Sequence, residues 1–452
     1  MLDCHRRKFL QAALAGFCVP TLASAGAGGG TEKELSEVAR SVPRPDGAPD
    51  ASDVCMRLFR KHPGAREIGA GKRFHISYAV WSYIMDRDYI QRVHDLGWRF
   101  QGTMNAVTHN ADFALKDENG EPVLDHFNKP GRYWADSHNE AYREWFAERM
   151  ARWGRLGADA IQRDEPTAIR HWSVEEAVDF IKDVHGRAWK KLGRRLPTSV
   201  NLAWNNSAFG GRGEPVAELF DFGMAELGKR HVKPAFLWKA ARSARSRGKT
   251  LVYTSYHNLS VRLYRLAIAA CYATGSNFIV PWDQYAGVGK DRVFSEPEDM
   301  ADLYGFVRAC AGHLDGYEDV LAVGPGLKDD RWEGRTPVRI RGGSGDLCVF
   351  GRAKPGGDDS PVVLHVVDFA QKPGNFELQL SREAFFGGRQ LRVHLKTPVP
   401  YDAEAHAEAE EERDYSSLAQ QRELKVRADG VLSKLSLPAV KPWGMIVVSP
   451  QT

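Results

Sequence analysis

Four carboxyl-bearing residues stand at the ends of short apolar segments: Asp164 and Glu165 after 158–163, Glu226 closing 220–226, and Asp283 after 277–282. Two carboxyl groups facing one another across a cleft can cleave a glycosidic bond. One protonates the leaving oxygen, and the other acts as nucleophile or activates water. Other segments end in residues that bind hydroxyls or stack on ring faces: Trp81, Asn105, Trp204 with Asn205, Tyr256 with His257, and Trp282. A scaffold alone does not need such a row. Pro166, directly after the Asp164-Glu165 pair, should stiffen the loop and turn the chain away from the site. A metal-dependent hydrolase would use Asp164, Glu165, Glu226, His257 and Asp283 as ligands, but the chain has neither His-x-His nor His-Glu-x-x-His spacing. No metal and no cofactor is expected.

These residues must be held by a frame, and the hydropathy pattern supplies one. Short apolar segments at 74–81, 99–107, 158–163, 198–204, 220–226, 250–256 and 277–282 alternate with amphipathic stretches at 87–96, 140–156, 174–192, 232–247 and 261–273, with a further helix at 297–310. Such alternation predicts a parallel sheet covered by helices, and here a (β/α)8 TIM-type barrel whose working residues lie where strands end. Seven strands are visible; the eighth is expected at 67–71 or 320–323. An open doubly wound sheet would want a Gly-rich phosphate loop after its first strand, and none is present. After residue 314 the pattern changes to period-two strands with Gly and Pro turns, at 337–341, 347–350, 362–367, 376–380, 391–395, 423–427 and 445–448. These predict a small antiparallel β-sandwich. The expected domains are a signal at 1–25, a disordered leader with a short helix (53–61) over 26–72, the catalytic barrel over 73–314 and the sandwich over 315–452. Residues 404–414, nearly all Ala and Glu, are expected to be a solvated helix or loop with no site.

The segment Gly157-Ala-Asp-Ala-Ile-Gln-Arg-Asp-Glu-Pro resembles the fourth strand of barrel glycoside hydrolases, and Ile279-Val-Pro-Trp-Asp-Gln-Tyr resembles their last. Residues 362–448 are similar to the β-sandwich that closes many of them. If 158–163 is the fourth strand, one strand precedes Phe74 and 220–226 is the sixth. A nucleophile on the fourth strand and an acid on the sixth is the arrangement of the α-galactosidase-like clan, which implies Asp164 as nucleophile and Glu226 as acid/base. The clan of cellulases and β-galactosidases ends its fourth strand Asn-Glu-Pro, which would make Glu165 the acid, paired with Glu226 or Asp283. Its seventh-strand nucleophile has no counterpart in Thr254-Ser-Tyr-His257, so that arrangement ranks second.

Around the carboxylates, Trp81, Trp134, Trp204 and Trp282 are expected to stack on sugar rings, and Asn105, His109, Asn205, Tyr256, His257 and Gln284 to bond hydroxyls. Arg163 could depress the carboxyl pKa values or bind an acidic sugar, but strand alternation points it outward, toward an ion pair with the helix layer. Twelve Trp in the chain suit a carbohydrate partner. A net charge of +4 with no basic cluster argues against nucleic acid. Arg6-Arg7-Lys8-Phe9-Leu10, an apolar run broken by Pro20, and Ala23-Ser24-Ala25 resemble a Tat export signal. Cleavage is expected after Ala25 and residence in the periplasm or outside the cell. Phe17 before Cys18 speaks against a lipoprotein signal. The four cysteines of the mature chain, Cys55, Cys271, Cys310 and Cys348, have no C-x-x-C spacing and are expected as buried thiols, although Cys271 and Cys310 could meet on neighbouring helices. A carbohydrate-binding protein that keeps a hydrolase fold without its catalysis is the alternative. Wide or buried spacing of the carboxyls would favour it.

Overall fold

The computed structural model describes residues 34–58, 65–126, 128–165, 171–201, 214–255, 259–282, 284–285, 292–293, 295–332, 336–357 and 359–451. Eight parallel strands form one sheet in chain order: β1 (Cys55–Arg57), β2 (Tyr78–Ser82), β3 (Arg99–Met104), β4 (Ala160–Asp164), β5 (Thr198–Asn201), β6 (Phe222–Leu227), β7 (Leu251–Ser255) and β8 (Asn277–Phe278). A parallel bridge from Met56 to Val280, with the Val280 amide donating to the Cys55 carbonyl at 2.8 Å, closes the sheet into a TIM barrel. The period-two pattern sends Cys55, Tyr78, Val80, Ala160, Phe222, Met224, Val252 and Ile279 into the barrel's own core. The intervening positions pack outward on α1 (Ala65–Arg73), α2 (Arg87–Asp95), α3 (Glu140–Leu156), α4 (Val174–Leu192), α5 (Pro234–Arg245), α6 (Val261–Ala273) and α7 (Pro297–Ala309).

Local chemistry fixes the helices on either side of β4. The Asn139 side chain caps α3 at the Tyr142 amide (3.0 Å), and Gly157, at φ 107°, ends it in a conformation that L side chains rarely adopt. Ser173 and Glu176 form a capping box on α4. Gly102 on β3 lets α3 approach: a Cβ there would lie 2.5 Å from the Trp153 ring.

The strand missing from the sequence reading is β1, inside the stretch 53–61 expected to be helical. Three residues are too few for any period to show, which is why it was missed. Residues 67–71 belong to α1 and residues 320–323 to the sandwich, so neither supplies the eighth barrel strand. Phe74 closes the turn after α1 instead of opening β2. Of the expected leader, residues 34–54 are packed against the folded body. Leu35 enters the sandwich core, Ala48 lies in the barrel's core cluster, and the Tyr78 hydroxyl donates to the Gly47 carbonyl at 2.9 Å. So few apolar residues cannot form a core alone, yet they complete cores built by others. Residues 1–33, including the expected signal and Cys18, lie outside the described residues.

A β-sandwich follows. One six-stranded antiparallel sheet has the order β9 (Glu318–Val323), β11 (Leu347–Ala353), β12 (Val362–Asp368), β18 (Trp443–Pro450), β14 (Leu391–Pro398), β15 (Ala419–Leu424). A four-stranded sheet has the order β10 (Val338–Gly342), β13 (Phe376–Ser381), β17 (Leu432–Leu437), β16 (Arg427–Asp429). Residues 423–427, expected as one strand, contain the turn from β15 into β16, and β17 went unrecognised because its apolar positions are interrupted by Ser and Lys. Trp443 fastens the sandwich to the barrel, with ring centroids 6.3 Å from Tyr272 and 4.9 Å from Phe306. The Ala/Glu-rich stretch forms α8 (Ala403–Glu412), and contrary to expectation one side of it is buried. His406 and Glu410 contact His75 of the barrel at 2.7 and 3.1 Å. All four described cysteines are buried free thiols. Among the described residues no helix is long and apolar enough to cross a membrane.

Candidate active site

Counting from β1, Asp164 ends the fourth strand and Glu226 lies near the end of the sixth. Both belong to the inward-facing set of their strands. β5 runs between them, and its last residue, Asn201, registers with Asp164. The Asn201 amide nitrogen Nδ2 donates to Asp164 Oδ1 at 2.9 Å and to Glu226 Oε1 at 3.3 Å. Two oxygens sharing one nitrogen at those distances are at most about 6.2 Å apart. Tyr83, just beyond β2, donates its hydroxyl to Asp164 Oδ2 at 3.3 Å.

Electrostatics divides the two acids. Burial pushes the Asp164 carboxyl up, opposed by the bonds from Asn201 and Tyr83 and by the charges of Arg57 and Arg163. Burial also lifts Glu226, to about 7; the Asp164 charge adds to this, while Arg57 and Asn201 oppose it. Asp164 accepts two stabilising hydrogen bonds and Glu226 one, so Asp164 is the better placed to hold the negative charge.

Glu165 is in a different situation. Its backbone sits at φ 51°, outside the strand conformation, so its side chain does not continue the barrel's alternation. Burial first, then the charges of Asp164, Asp125 and Glu226, push it up to about 9, leaving it protonated near neutrality. His126 Nδ1 lies 3.4 Å from Glu165 Oε1, and burial depresses the His126 imidazole. With the acid protonated and the ring neutral, this is a contact between neutral groups.

The aromatic expectations need correction. Trp81 is 4% exposed, and Arg57 covers one ring face at 4.3 Å from the centroid. Trp134 is 2% exposed, with His126 and His171 at 5.6 and 5.7 Å between centroids. Trp282 is 3% exposed. These indoles build the walls of the barrel mouth, because an aromatic at a strand end can complete the core as readily as line a cleft. Asn105 also turns inward on its own loop, its Oδ1 accepting from the Val107 amide at 3.3 Å. His109 is exposed, with Nδ1 2.8 Å from the Gly131 carbonyl. Arg163 points outward as alternation requires, but into aromatics: its guanidinium lies 4.3 Å over the Phe146 ring and donates to the Asn105 carbonyl at 2.9 Å. Among the described residues it forms no ion pair with the helix layer.

Pro166, Trp204, Asn205, Tyr256, His257 and Asp283 lie outside the described residues, as does the side chain of Gln284, whose backbone pairs in a short ribbon with Arg292–Val293. Among the described residues no three His, Cys, Asp or Glu side chains gather in a way that could hold a metal ion. The sequence reading missed Arg57, Tyr83 and Asn201. Asn201 had a visible signal, a carboxamide inside the segment 198–204 expected as a strand; Arg57 had none while β1 was unrecognised.

No family model matches this sequence, and no curated protein matches it. Solved structures do. The debranching enzyme from Nostoc punctiforme aligns with a TM-score of 0.55 at 11% identity, over 90% of this chain and 100% of that one. Gamma-CGTase from Alkalophilic bacillus clarkii aligns at 0.52 and 10% identity, over 91% and 72%. The α-galactosidase of Saccharomyces cerevisiae covers 89% of this chain and 100% of its own at 10% identity, but at 0.48 that likeness is too loose to argue from. Identities this low speak to architecture alone. The chain has the barrel-and-sandwich fold found in glycoside hydrolases.

Proposed function

We propose that this protein is an exported glycoside hydrolase acting on an oligo- or polysaccharide with retention of anomeric configuration. Asp164 is the nucleophile and Glu226 the acid/base. The observation that carries the reading is the Asn201 amide bonded to both carboxyls, which limits the bonded oxygens to about 6.2 Å. Retaining enzymes hold their carboxyls about 5–5.5 Å apart, whereas inverting ones need about 6.5–9.5 Å to admit a water.

In the first step Asp164 attacks the anomeric carbon while Glu226 gives its proton to the glycosidic oxygen. The bond to the leaving sugar breaks, and a glycosyl ester forms on Asp164. Glu226, now ionised, takes a proton from an incoming water. The hydroxyl attacks the anomeric carbon and expels the Asp164 carboxylate, which restores both groups. Asn201 can bond each carboxyl in either charge state, so it keeps their spacing through the cycle. Glu165, held protonated, is suited to donating a hydrogen bond to a sugar oxygen and unsuited to the nucleophilic role.

Arg6-Arg7 with the apolar run and Ala23-Ser24-Ala25 supports export through the Tat system and a periplasmic or external location. The test is hydrolysis of a panel of polysaccharides and aryl glycosides by the mature protein beside Asp164→Asn and Glu226→Gln. Cleavage that both variants lose, with a product of retained configuration by NMR, bears the proposal out. Cleavage that neither loses removes the site, and glycan binding without cleavage makes the protein a carbohydrate-binding one.

A further inference from the structure

Beside the carboxyl pair lies a buried cation that the chemistry above does not use. Arg57, the last residue of β1, is 5% exposed. Its side chain reaches across the barrel interior past β8, and Nη2 donates to Thr254 Oγ1 on β7. Thr254 registers directly with Glu226 on β6, so the anchor places the guanidinium beside the acid. Its flat face covers Trp81, which sits in the left-handed region at φ 57°. A non-glycine residue there is strained and persists only where its surroundings hold it.

We infer that Arg57 is a positioning residue for the carboxyl pair: held on Thr254 and over Trp81, its fixed positive charge beside Glu226 lets the pair carry one negative charge. This rests on the assignment of those two residues as the catalytic pair. The other charged or titratable groups around the pair among the described residues are placed differently. Arg163, on the same strand as Asp164, projects into the aromatic helix layer; Arg132 is spent on Asp125 at 2.7 Å; Glu165 is protonated; and Tyr83 is a neutral donor. Two carboxyls this close cannot both ionise without opposing charge. The Arg57 charge pulls both toward ionisation, in agreement with the geometry. Arginine suits the role because its guanidinium stays charged when buried and can stack on an indole while donating sideways.

The experiment compares Arg57→Met, Arg57→Lys and Thr254→Val with the parent. It reads the pH profile of kcat/KM, and the carboxyl titrations of 13C-labelled Asp164 and Glu226 by NMR. Removing a cation raises both acids, so Arg57→Met is expected to move both limbs of the profile to higher pH by about one unit. Arg57→Lys keeps the charge and should move them less. Thr254→Val frees the anchor without removing the charge, gives a smaller shift in the same direction, and decides the matter should Arg57→Met fail to fold. Unmoved limbs and carboxyl titrations in folded variants overturn the inference, even with a lower kcat or melting temperature. If the parent cleaves no glycan, the catalytic reading fails, while the NMR titrations still decide what Arg57 does to the two carboxyls.

Discussion

The barrel carries acidic groups at both ends and treats them in opposite ways. At the end where the strands begin, Asp53 forms an ion pair with Arg99 and accepts from the Ser77 hydroxyl and the Asp50 amide, each at 2.6 Å. Arg99 also stacks at 4.5 Å on Tyr78, and although burial opposes its charge, Asp53 and the other acidic groups around it outweigh that and raise its guanidinium pKa. At the end where the strands finish, Asp164 and Glu226 are bonded by a neutral amide and a phenol, and Arg57 donates to Thr254. The first arrangement neutralises charge and ties residues 50–53 to the barrel. The second leaves the cost of burial standing, which is what raises a carboxyl toward the working pH of an acid catalyst. Equal chemistry at the two ends thus serves stability in one place and reactivity in the other.

The sharpest way to break this contrast is to neutralise the mouth. Asp164→Asn is expected to lower kcat/KM by about ten-thousand-fold, on the scale of losing a nucleophile, while leaving the melting temperature unchanged or higher because the burial cost of a charge is gone. A destabilised Asp164→Asn would mean that the mouth acid is structural like Asp53. Glu226→Gln should cost about 100- to 10,000-fold, with the loss falling away for aryl glycosides whose leaving groups need no protonation. A loss independent of leaving group would remove Glu226 as the acid. The opposite behaviour is expected at the other end. Asp53→Ala should lower unfolding free energy in denaturant by about 2 kcal/mol, less than a fully buried pair because Arg99 is 31% exposed, with activity per folded molecule intact. The smallest effect is in pH. Glu226 must be protonated to act, so kcat/KM should fall as pH rises through about 7. A carboxyl whose folded pKa lies above its unfolded value binds more protons when folded, so its contribution to stability falls as pH rises from about 4.5 to 7. The melting temperature of Glu226→Gln relative to the parent should therefore rise across that window. A constant difference would show that Glu226 is not held in the raised state.

Strand alternation was readable because each segment recurs with helices between, and a strand's end is a position that sequence can locate. That sufficed to place Asp164 and Glu226 at strand ends, while their numbering as fourth and sixth came from the resemblance to barrel glycoside hydrolases, which implied one earlier strand. It failed for β1, since Cys55, Met56 and Arg57 are too few to show alternation, and Arg57 was lost with it. The tryptophans misled for another reason. Residue type reports that Trp81 and Trp134 are large and flat, but Arg57 and a pair of histidines cover them only after segments far apart in the chain come together.

The sequence by itself determined the alternation of elements, the change from helix-covered strands to an antiparallel sandwich, and which carboxyls stand at strand ends. All of these follow from local periodicity, which neighbouring residues encode. The tertiary structure decided that Asn201 bridges Asp164 and Glu226, that burial and neighbouring acids raise the Glu165 carboxyl, that residues 34–54 complete two cores, and that a cation lies beside Glu226. Each of these depends on distances between strands remote in sequence and on how much water their packing excludes, and neither quantity is written in any local stretch of the chain.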